Sequence, residues 1–478
     1  MYLLMLVSLI WPAFVLNEPI VSPDTPAYFK AGKLAVTFIG EILGKSHDRT
    51  KEVLSDRLQA GSGELGNPVK QTESWRGAAA YLIPSNAVGV RSAYYGFFVR
   101  VLGNQTLWFI VIVQALVALY AVRRYLSAFS VVDFRLFFIV TVTLAAVSSL
   151  PWFVSYVMPD LFGGVLIILI GTLLLQPGSH SPRSFLIDCP LIFFCLISHN
   201  ANLLLAISLV VAIFVATIAF NRQRWAKEVL LRNGILVGLV LAAIVANSLV
   251  SYVGFGKVSL TTRAPPFLLA RSIADGPGRL YLEDSCRHSN AKYYLCDHLE
   301  ELSDNVIEFL WSPDGVYMSA TPDQRETIRA EQLEIVRNAA LARPWLQLKS
   351  SLRNIWLNLT DINLAAVRTD LQWQYDGDPI ETNDSSTMAL IKYISTNLIY
   401  LSTVIAIGII LVLAIWFGWS SVPEIVTFVF VALVLNAGIT GVVSGSSSRY
   451  QARVVWLLPL VAMGYIAIVR RRPLEFQK

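Results

Sequence analysis

Long apolar blocks recur along this 478-residue chain and restrict its fold more than any other feature. Leu107–Val122, Leu161–Leu175 and Leu203–Phe220 contain no charged residue and approach the ~20 residues that a helix needs to cross a ~30 Å hydrocarbon core. Only 15% of all residues are charged, whereas a soluble domain carries about 25%. These features exclude a soluble enzyme, a nucleic-acid-binding module and a disordered chain, and they predict an all-α, multi-pass membrane protein.

Hydropathy and length together predict about ten membrane spans. The first is interpreted as a retained span, because no basic residue precedes it and no small-residue cleavage site follows it. The fifth is the least typical, since it is short and contains Asp188 and Pro190. The predicted spans are 2–16, 106–122, 135–150, 161–176, 185–198, 201–220, 234–254, 394–418, 424–442 and 453–469.

Basic clusters at the ends of these spans predict the orientation. Arg123–Arg124, Arg222–Arg232 and Arg470–Arg472 fall on one side, which the positive-inside rule makes cytoplasmic. Both termini are then cytoplasmic, and a bacterial inner membrane is the expected location. The net charge of +5 follows from these clusters and does not indicate a nucleic-acid partner.

The predicted topology divides the chain into a transmembrane module, an outer domain and a set of C-terminal helices. The module covers 1–254 and includes a first outer loop, 17–105. The outer, periplasmic domain of mixed structure covers 255–393, and the C-terminal transmembrane helices cover 394–478. Nothing of comparable size lies on the cytoplasmic side, so any chemistry is expected on the outer face.

The outer segments carry helical patterns of their own. Lys30–Lys45 has one apolar face and basic flanks, which predicts a helix lying in the membrane interface. A second helical stretch, Asp48–Gln59, follows it, and a solvated helical hairpin is the alternative for the pair. In the outer domain, Pro322–Arg343 has the pattern of a charged amphipathic helix.

Cys286 and Cys296 are the cysteines outside the predicted spans. In an oxidising compartment such a pair most simply forms a disulfide. A metal site that also uses His288 and His298 is the alternative. The remaining cysteines, Cys189 and Cys195, fall inside a span and are interpreted as packing residues.

Two carboxylates stand at predicted outer helix entrances. Asp24 lies between Pro23 and Pro26, and because proline restricts the backbone around it, the side chain is presented from a stiffened turn. Asp160 follows Pro159 at the start of another span. Either residue could instead be a helix cap.

Basic residues on the outer side run against the orientation rule and suggest a ligand. An arginine fork binds phosphate oxygens in a bidentate manner, whereas snorkelling to lipid headgroups explains any single one of them. His199, at a short outer turn, is either a substrate contact or a structural histidine. The basic set comprises Arg91, Lys257, Arg263, Arg271, Arg449 and Arg453.

Three features of the sequence resemble the GT-C superfamily of integral-membrane glycosyltransferases. They are Asp24 on the outer side after the first span, Asp160 after the third span, and Arg449-Tyr450 before a late span that contains a proline. The large outer domain after the seventh span is also similar to that arrangement. The resemblance is to the bacterial branch that includes arabinose- and mannose-transferring enzymes. It implies a GT-C-like fold, a polyprenyl-phosphate-linked sugar donor, a glycan or lipid acceptor and contact with membrane lipids.

The residues above then take specific roles in an inverting hexosyl- or pentosyltransferase. Asp24 is the expected general base, and Asp160 would orient the acceptor or hold a divalent cation (Mg²⁺ or Mn²⁺). Many members carry Asp-Glu in the first loop, whereas Thr25 follows Asp24 here, so no cofactor is assigned with certainty. Residues expected to bind substrate are Tyr28, Arg91, His199, Lys257, Arg263, Arg271, Arg449 and Tyr450.

Other functions remain open at this point. A lipid-linked oligosaccharide polymerase or ligase shares the many spans and the single large outer loop, and His288 or His298 could serve it. A transporter or flippase would favour ionisable residues deep in several spans and an inverted repeat, and only Asp188 fits that pattern. A non-catalytic assembly protein is the last alternative.

Overall fold

The computed structural model describes residues 1–42, 91–128, 133–175, 182–219, 226–255, 258–260, 264–288, 292–374, 379–382, 386–445 and 447–471. In these residues the chain is an all-α membrane protein. Five helical segments among them are long and apolar enough to cross a membrane: Trp108–Ser127, Leu231–Val253, Ser386–Phe417, Glu424–Val443 and Ser448–Arg470. Shorter apolar helices occupy four more predicted spans: Phe134–Val147, Leu161–Leu175, Ser184–Ser198 and Asn200–Ala216. The total of about ten crossings stays a prediction.

The helices of the first half include those of the first seven predicted spans. In chain order they are α1 (Tyr2–Leu9), α2 (Trp11–Leu16), α3 (Thr25–Ile42), α4 (Ala93–Gly103), α5 (Trp108–Ser127), α6 (Phe134–Val147), α7 (Leu150–Ser155), α8 (Leu161–Leu175), α9 (Pro182–Ser198), α10 (Asn200–Ala219) and α11 (Ala226–Phe255).

The second half contains the predicted outer domain and the last spans. Its helices are α12 (Phe267–Ala274), α13 (Pro277–His288), a 3₁₀-helix (Tyr294–Glu301), α14 (Val306–Trp311), α15 (Val316–Ser319), α16 (Pro322–Ala342), α17 (Pro344–Thr360), α18 (Ser386–Phe417), a short 3₁₀-turn (Trp419–Ser421), α19 (Glu424–Val443), α20 (Ser448–Val455) and α21 (Leu457–Arg471). Strands β1 (Leu371–Gln372) and β2 (Ile380–Glu381) pair antiparallel, with Leu371 opposite Glu381.

Three predicted spans are interrupted, and each break lies just before a proline. The span 2–16 divides at Ile10 and 453–469 at Trp456, while the helix of 135–150 ends at Val147. Pro12, Pro151 and Pro459 each stand in the first turn of the helix that follows. A proline ring clashes with the carbonyl four residues earlier, which favours a kink or a break in the preceding turn.

Helix α8 is the centre of the bundle. Every residue from Leu161 to Leu174 is buried, as expected for a helix that is apolar on all sides. Asp160 directly precedes this helix, so its position is fixed by the most enclosed element of the fold.

The charged residue inside the fifth predicted span is neutralised by a neighbouring helix. Asp188 on α9 is fully buried and accepts hydrogen bonds from Arg124 Nη2 (2.8 Å) and Nε (3.0 Å) and from the Tyr120 hydroxyl (2.5 Å). A buried carboxylate requires such a partner. The same segment forms the continuous helix α9 despite Pro190.

Helices α12–α16 enclose a second apolar core, built from residues between Leu269 and Ile335. The predicted disulfide between Cys286 and Cys296 is confirmed and joins α13 to the 3₁₀-helix. The predicted amphipathic helix at Pro322–Arg343 is confirmed as α16, and Thr321 with Gln324 forms its capping box. Around these helices the described strands are only β1 and β2, so the domain is more helical than the predicted mixed structure.

The first outer loop is only partly described. Its predicted interfacial helix, Lys30–Lys45, corresponds to α3, which starts at Thr25 and is described to Ile42. A Cβ at Gly32 would lie 2.1 Å from the Gly96 carbonyl oxygen on α4, so α3 and α4 are in backbone contact. The predicted helix Asp48–Gln59 lies outside the described residues.

Candidate functional site

Two chain segments that are far apart in sequence dock at one end of the bundle and carry the predicted carboxylates. The Ile20 amide donates to the Ser155 carbonyl (2.9 Å), and the Val157 amide donates to the Ile20 carbonyl (2.8 Å). The Thr25 hydroxyl donates to the Val157 carbonyl (3.2 Å). The turn that holds Asp24 is thereby fixed against the loop that ends at Asp160.

Asp24 lies at the mouth of the site. Its side chain is 28% exposed; one carboxylate oxygen pairs with Arg91, and the other is 3.9 Å from Arg449 Nη2. Arg91 precedes α4, whose N-cap, Ser92, donates its hydroxyl proton to the Ile197 carbonyl. Two predicted arginines thus face the predicted base.

Asp160 lies at the base of the site, where it is 1% exposed. Arg449 Nε is 3.6 Å and Arg453 Nη1 is 3.7 Å from its Oδ1. Within the described part of the chain, neither Asp160 oxygen has a hydrogen-bond partner. Asp160 is therefore not the helix cap that its position before α8 also allowed. Its buried charge is balanced by two guanidinium groups in ion-pair range but has no hydrogen bond, which a ligand can supply.

Several neighbouring polar atoms are likewise buried without a partner in the described residues: Arg449 Nε, Arg453 Nε and Nη1, and Asn202 Oδ1. Gly163 leaves room beside them, since a Cβ there would lie 3.3 Å from Asn202 Oδ1 and 3.5 Å from Arg453 Nε. Buried polar groups in proteins are normally paired. A polar ligand would supply the hydrogen bonds that these buried donors and acceptors lack.

Asn436 on α19 holds the arginine-bearing helix in place. Its amide donates to the Tyr450 carbonyl (2.8 Å) and to Gln451 Oε1 (3.0 Å), and its Oδ1 accepts from Arg453 Nη2 (3.1 Å). Arg449 and Arg453 both lie over the Tyr450 ring, each 5.6 Å from its centroid. Cation–π contact and these hydrogen bonds orient both guanidinium groups.

Aromatic residues form the wall next to the two carboxylates. Tyr28 is buried and packs edge-to-face on Tyr95, 5.0 Å between centroids, and burial raises the pKa of its phenol. The Tyr156 hydroxyl accepts a hydrogen bond from Arg449 Nη1 at 3.3 Å. These rings exclude water from one side of the site.

His199 lies in the turn between α9 and α10 and is neutral at neutral pH. Burial, together with the positive charges of Arg453, Arg449 and Arg91, lowers the pKa of its imidazole well below the usual value. Its Nδ1 accepts a hydrogen bond from the Ala201 amide (3.2 Å). The remaining nitrogen is then the proton-bearing one, which makes His199 a hydrogen-bond donor in the site.

A divalent cation does not fit at Asp160. Two guanidinium groups already lie within 4 Å of its carboxylate, and they would repel a second positive centre. The described residues contain no group of three or more His, Cys, Asp or Glu side chains that could hold a metal ion.

The remaining predicted site residues are placed elsewhere or lie outside the described part. Arg271 on α12 forms an ion pair with Asp275, the residue that follows the helix (3.0 Å). Its described ion pair is therefore local and not with the residues of the arginine cluster. His298 pairs with Glu301 and packs on Tyr294 in the outer domain. Lys257 and Arg263 lie outside the described residues. Arg453, which the sequence placed in the outer basic set, joins the site, and so do Asn202, Asn436 and Tyr156, which the sequence did not single out.

No family model, no curated protein and no solved structure matches this chain. Its function is therefore argued from the site alone.

Proposed function

We propose that this protein is an inverting membrane glycosyltransferase, which moves a sugar from a polyprenyl-phosphate donor to an acceptor at the predicted outer face of a bacterial inner membrane, within a GT-C-like fold. The supporting observation is that the partly exposed carboxylate of Asp24 faces a buried group of arginine and aspartate side chains, which lie in ion-pair range but are not hydrogen-bonded to one another. One end of the site can meet an acceptor, and the other can hold an anion.

The charge of the site matches a phosphodiester. Arg91, Arg449 and Arg453 oppose Asp24 and Asp160, and with a neutral His199 one positive charge remains. A sugar linked through a single phosphate carries one negative charge. When the sugar leaves, charge grows on the phosphate oxygens, and fixed guanidinium groups stabilise that state more than the starting one.

Asp24 is the proposed general base. An acceptor hydroxyl attacks the anomeric carbon, its proton passes to the Asp24 carboxylate, and the bond from that carbon to the phosphate oxygen breaks. The lipid phosphate leaves as an anion held by the arginines, so no strong acid is needed and the anomeric configuration inverts. General-base catalysis of this kind typically contributes about 10²–10⁴-fold.

An apolar cavity among the last spans can take the lipid chain of the donor. It has a volume of about 220 Å³ and lies between α6, α18 and α21, where Val147, Leu401 and Ala462 line it. Ser402 binds the Val147 carbonyl (2.8 Å), and Ser149 binds the Ala452 carbonyl next to Arg453 (2.5 Å). A donor phosphate at the arginines would then leave its first isoprene units beside this cavity.

The polymerase or ligase alternative is less well supported. It calls for His288 or His298 of the large loop next to the arginines, but the contacts of His298 are with Glu301 and Tyr294. The side chain of His288 lies outside what the structure describes. The histidine next to the arginine cluster in the described residues is His199.

The proposal is tested by Asp24→Asn, which keeps the size of the side chain but cannot accept a proton. Purified protein in lipid nanodiscs would be assayed with polyprenyl-phosphate mannose and polyprenyl-phosphate arabinose, using an envelope extract as acceptor. We expect transfer to fall by about 10²-fold or more, while the exposed carboxylate variant Asp314→Asn retains the wild-type rate. Wild-type transfer by a folded Asp24→Asn protein would contradict the proposed mechanism.

A further inference from the structure

Helix α17 (Pro344–Thr360) buries polar side chains and exposes apolar ones, the reverse of a helix on a soluble domain. Its asparagines face inward, with Asn354 only 3% and Asn358 only 1% exposed. Its tryptophans face outward, with Trp345 80% and Trp356 66% exposed. Leu348 and Leu352 stand between them on the same side, because residues three, four and four apart share one helical face.

The inward face is fully engaged with the protein. Asn358 Nδ2 donates to Thr440 Oγ1 on α19 (3.0 Å), and Asn354 Nδ2 donates to Asp275 Oδ2 at the end of α12 (2.7 Å). A Cβ at Gly441 would lie 2.9 Å from the Asn354 carbonyl oxygen. Since the polar face is packed this closely on α19, the helix cannot turn its apolar stripe inward.

The end of α17 lies level with Tyr400, in the first half of the long apolar helix α18. The Tyr400 hydroxyl on α18 donates to the Thr360 carbonyl (3.1 Å). Trp416 and Phe417 at the other end of this helix, and Trp419 just after it, are exposed, as expected of an aromatic belt at the opposite interface. At 1.5 Å per residue, Tyr400 is roughly 26 Å from Phe417, close to the ~30 Å thickness of the core.

Basic residues border the apolar stripe on one side. Lys349 and Arg353 are exposed, and each directly follows a leucine of the stripe, Leu348 or Leu352. An apolar stripe with tryptophans and a basic border is typical of helices that lie in a membrane interface, where the basic side chains reach the lipid phosphates.

We propose that α17 is an interfacial membrane helix, seated in the leaflet next to the site, with Trp345, Leu348, Leu352 and Trp356 immersed in acyl chains. Its partner is the lipid surface itself, and the predicted outer domain is thereby anchored to the membrane beside α19. This inference does not depend on the proposed transfer reaction.

The test places a fluorescent NBD label on the stripe of the full-length protein in nanodiscs that contain phosphatidylglycerol. Leu352→Cys would be made in a Cys189→Ser, Cys195→Ala background, with Leu348→Cys as a second stripe position. Leu333→Cys, an exposed leucine on α16 beside Glu331 and Glu334, is the matched control. We expect blue-shifted emission and at least a twofold stronger quenching by shallow doxyl lipids at both stripe positions than at the control.

Water-like emission at both stripe positions, equal to the control, would overturn the inference. Blue-shifted emission without quenching by lipid would also overturn it, because a protein surface, such as a second copy of the chain, would then cover the stripe.

Discussion

Single residues at the site divide into those that face solvent and those that face only each other. Asp24 and Arg91 are partly exposed, whereas Asp160 and Arg453 are each 1% exposed. The exposed pair can meet a soluble or membrane-bound acceptor, while the arginines of the buried group are the proposed site of the donor phosphate. In the proposed reaction the acceptor would therefore bind at the exposed pair, and the donor phosphate at the buried group.

Arg449 is expected to act through the shape of its guanidinium as well as its charge, because it lies between both carboxylates. Arg449→Lys retains the charge but loses the bidentate fork. We expect transfer to fall by about 10–10³-fold with the melting temperature within a few degrees of wild type. Arg271→Lys, whose arginine pairs with Asp275 in the outer domain, is the control and should retain activity. Equal effects of the two variants would remove Arg449 from the mechanism.

His199 is expected to make stability depend on pH. Burial lowers the pKa of its imidazole in the folded state, so folding favours the neutral form. The stabilising contribution is complete above the unfolded pKa of about 6.5 and is lost as pH falls towards the folded pKa, by up to about 1.4 kcal/mol per pH unit. Thermal unfolding between pH 7 and pH 5 should show this loss, and His199→Gln should reduce it. An unchanged slope in His199→Gln would contradict the assignment.

The sequence indicated part of the site and not the rest for a physical reason. Asp24, Asp160, Arg91 and Arg449 were recognisable because a charge at a helix entrance is conspicuous in an apolar chain. Asn202 and Asn436 carry no such signal, since their importance comes from contacts across helices. Arg271 has the same sequence signal as Arg449 but pairs with Asp275 four residues later, a spacing that the sequence itself offers.

At the scale of elements, proline positions govern the helices around the site. Pro12, Pro151 and Pro459 lie just after helix breaks, and the segments at two of those breaks are joined by the Ser149–Ala452 hydrogen bond. Hydropathy alone predicted continuous spans there, because a window of about 19 residues averages over a single proline. The breaks place α20, which carries Arg449 and Arg453, at an end of the bundle.

The cavity between α6, α18 and α21 yields a prediction about the donor's chain. Ala406 lines it and is 2% exposed, so Ala406→Phe would fill part of the space. We expect transfer from a long-chain donor to fall at least fivefold, while a donor with one or two isoprene units is less affected. Val404→Phe, on the exposed side of the same helix, is the control. Equal use of both donors by Ala406→Phe would place the lipid chain elsewhere.

At the scale of the whole molecule, the structure contains two apolar cores with different surroundings. The larger core includes residues of α1 through α11 and of the C-terminal spans, and the smaller one lies in α12–α16. The predicted outer domain, 255–393, contributes to both cores, because Ile362, Leu364 and Val367 pack in the larger one. Sequence analysis did not predict the contact of α17 with α19, since a polar face turned inward reverses the usual pattern.

The orientation of the molecule remains a prediction, and it determines on which side the proposed reaction occurs. Lys and Arg clusters place Asp133 on the cytoplasmic side and Asp314 on the outer side. Both residues are exposed, so single cysteines at these positions can be labelled in the Cys189→Ser, Cys195→Ala background with the Cys286–Cys296 disulfide intact. A membrane-impermeant maleimide added to intact cells with an opened outer envelope should label Asp314→Cys at once. Asp133→Cys should react only after the membrane is permeabilised. The reverse pattern would put the Asp24 site on the cytoplasmic side, where a polyprenyl-phosphate donor facing outward could not reach it.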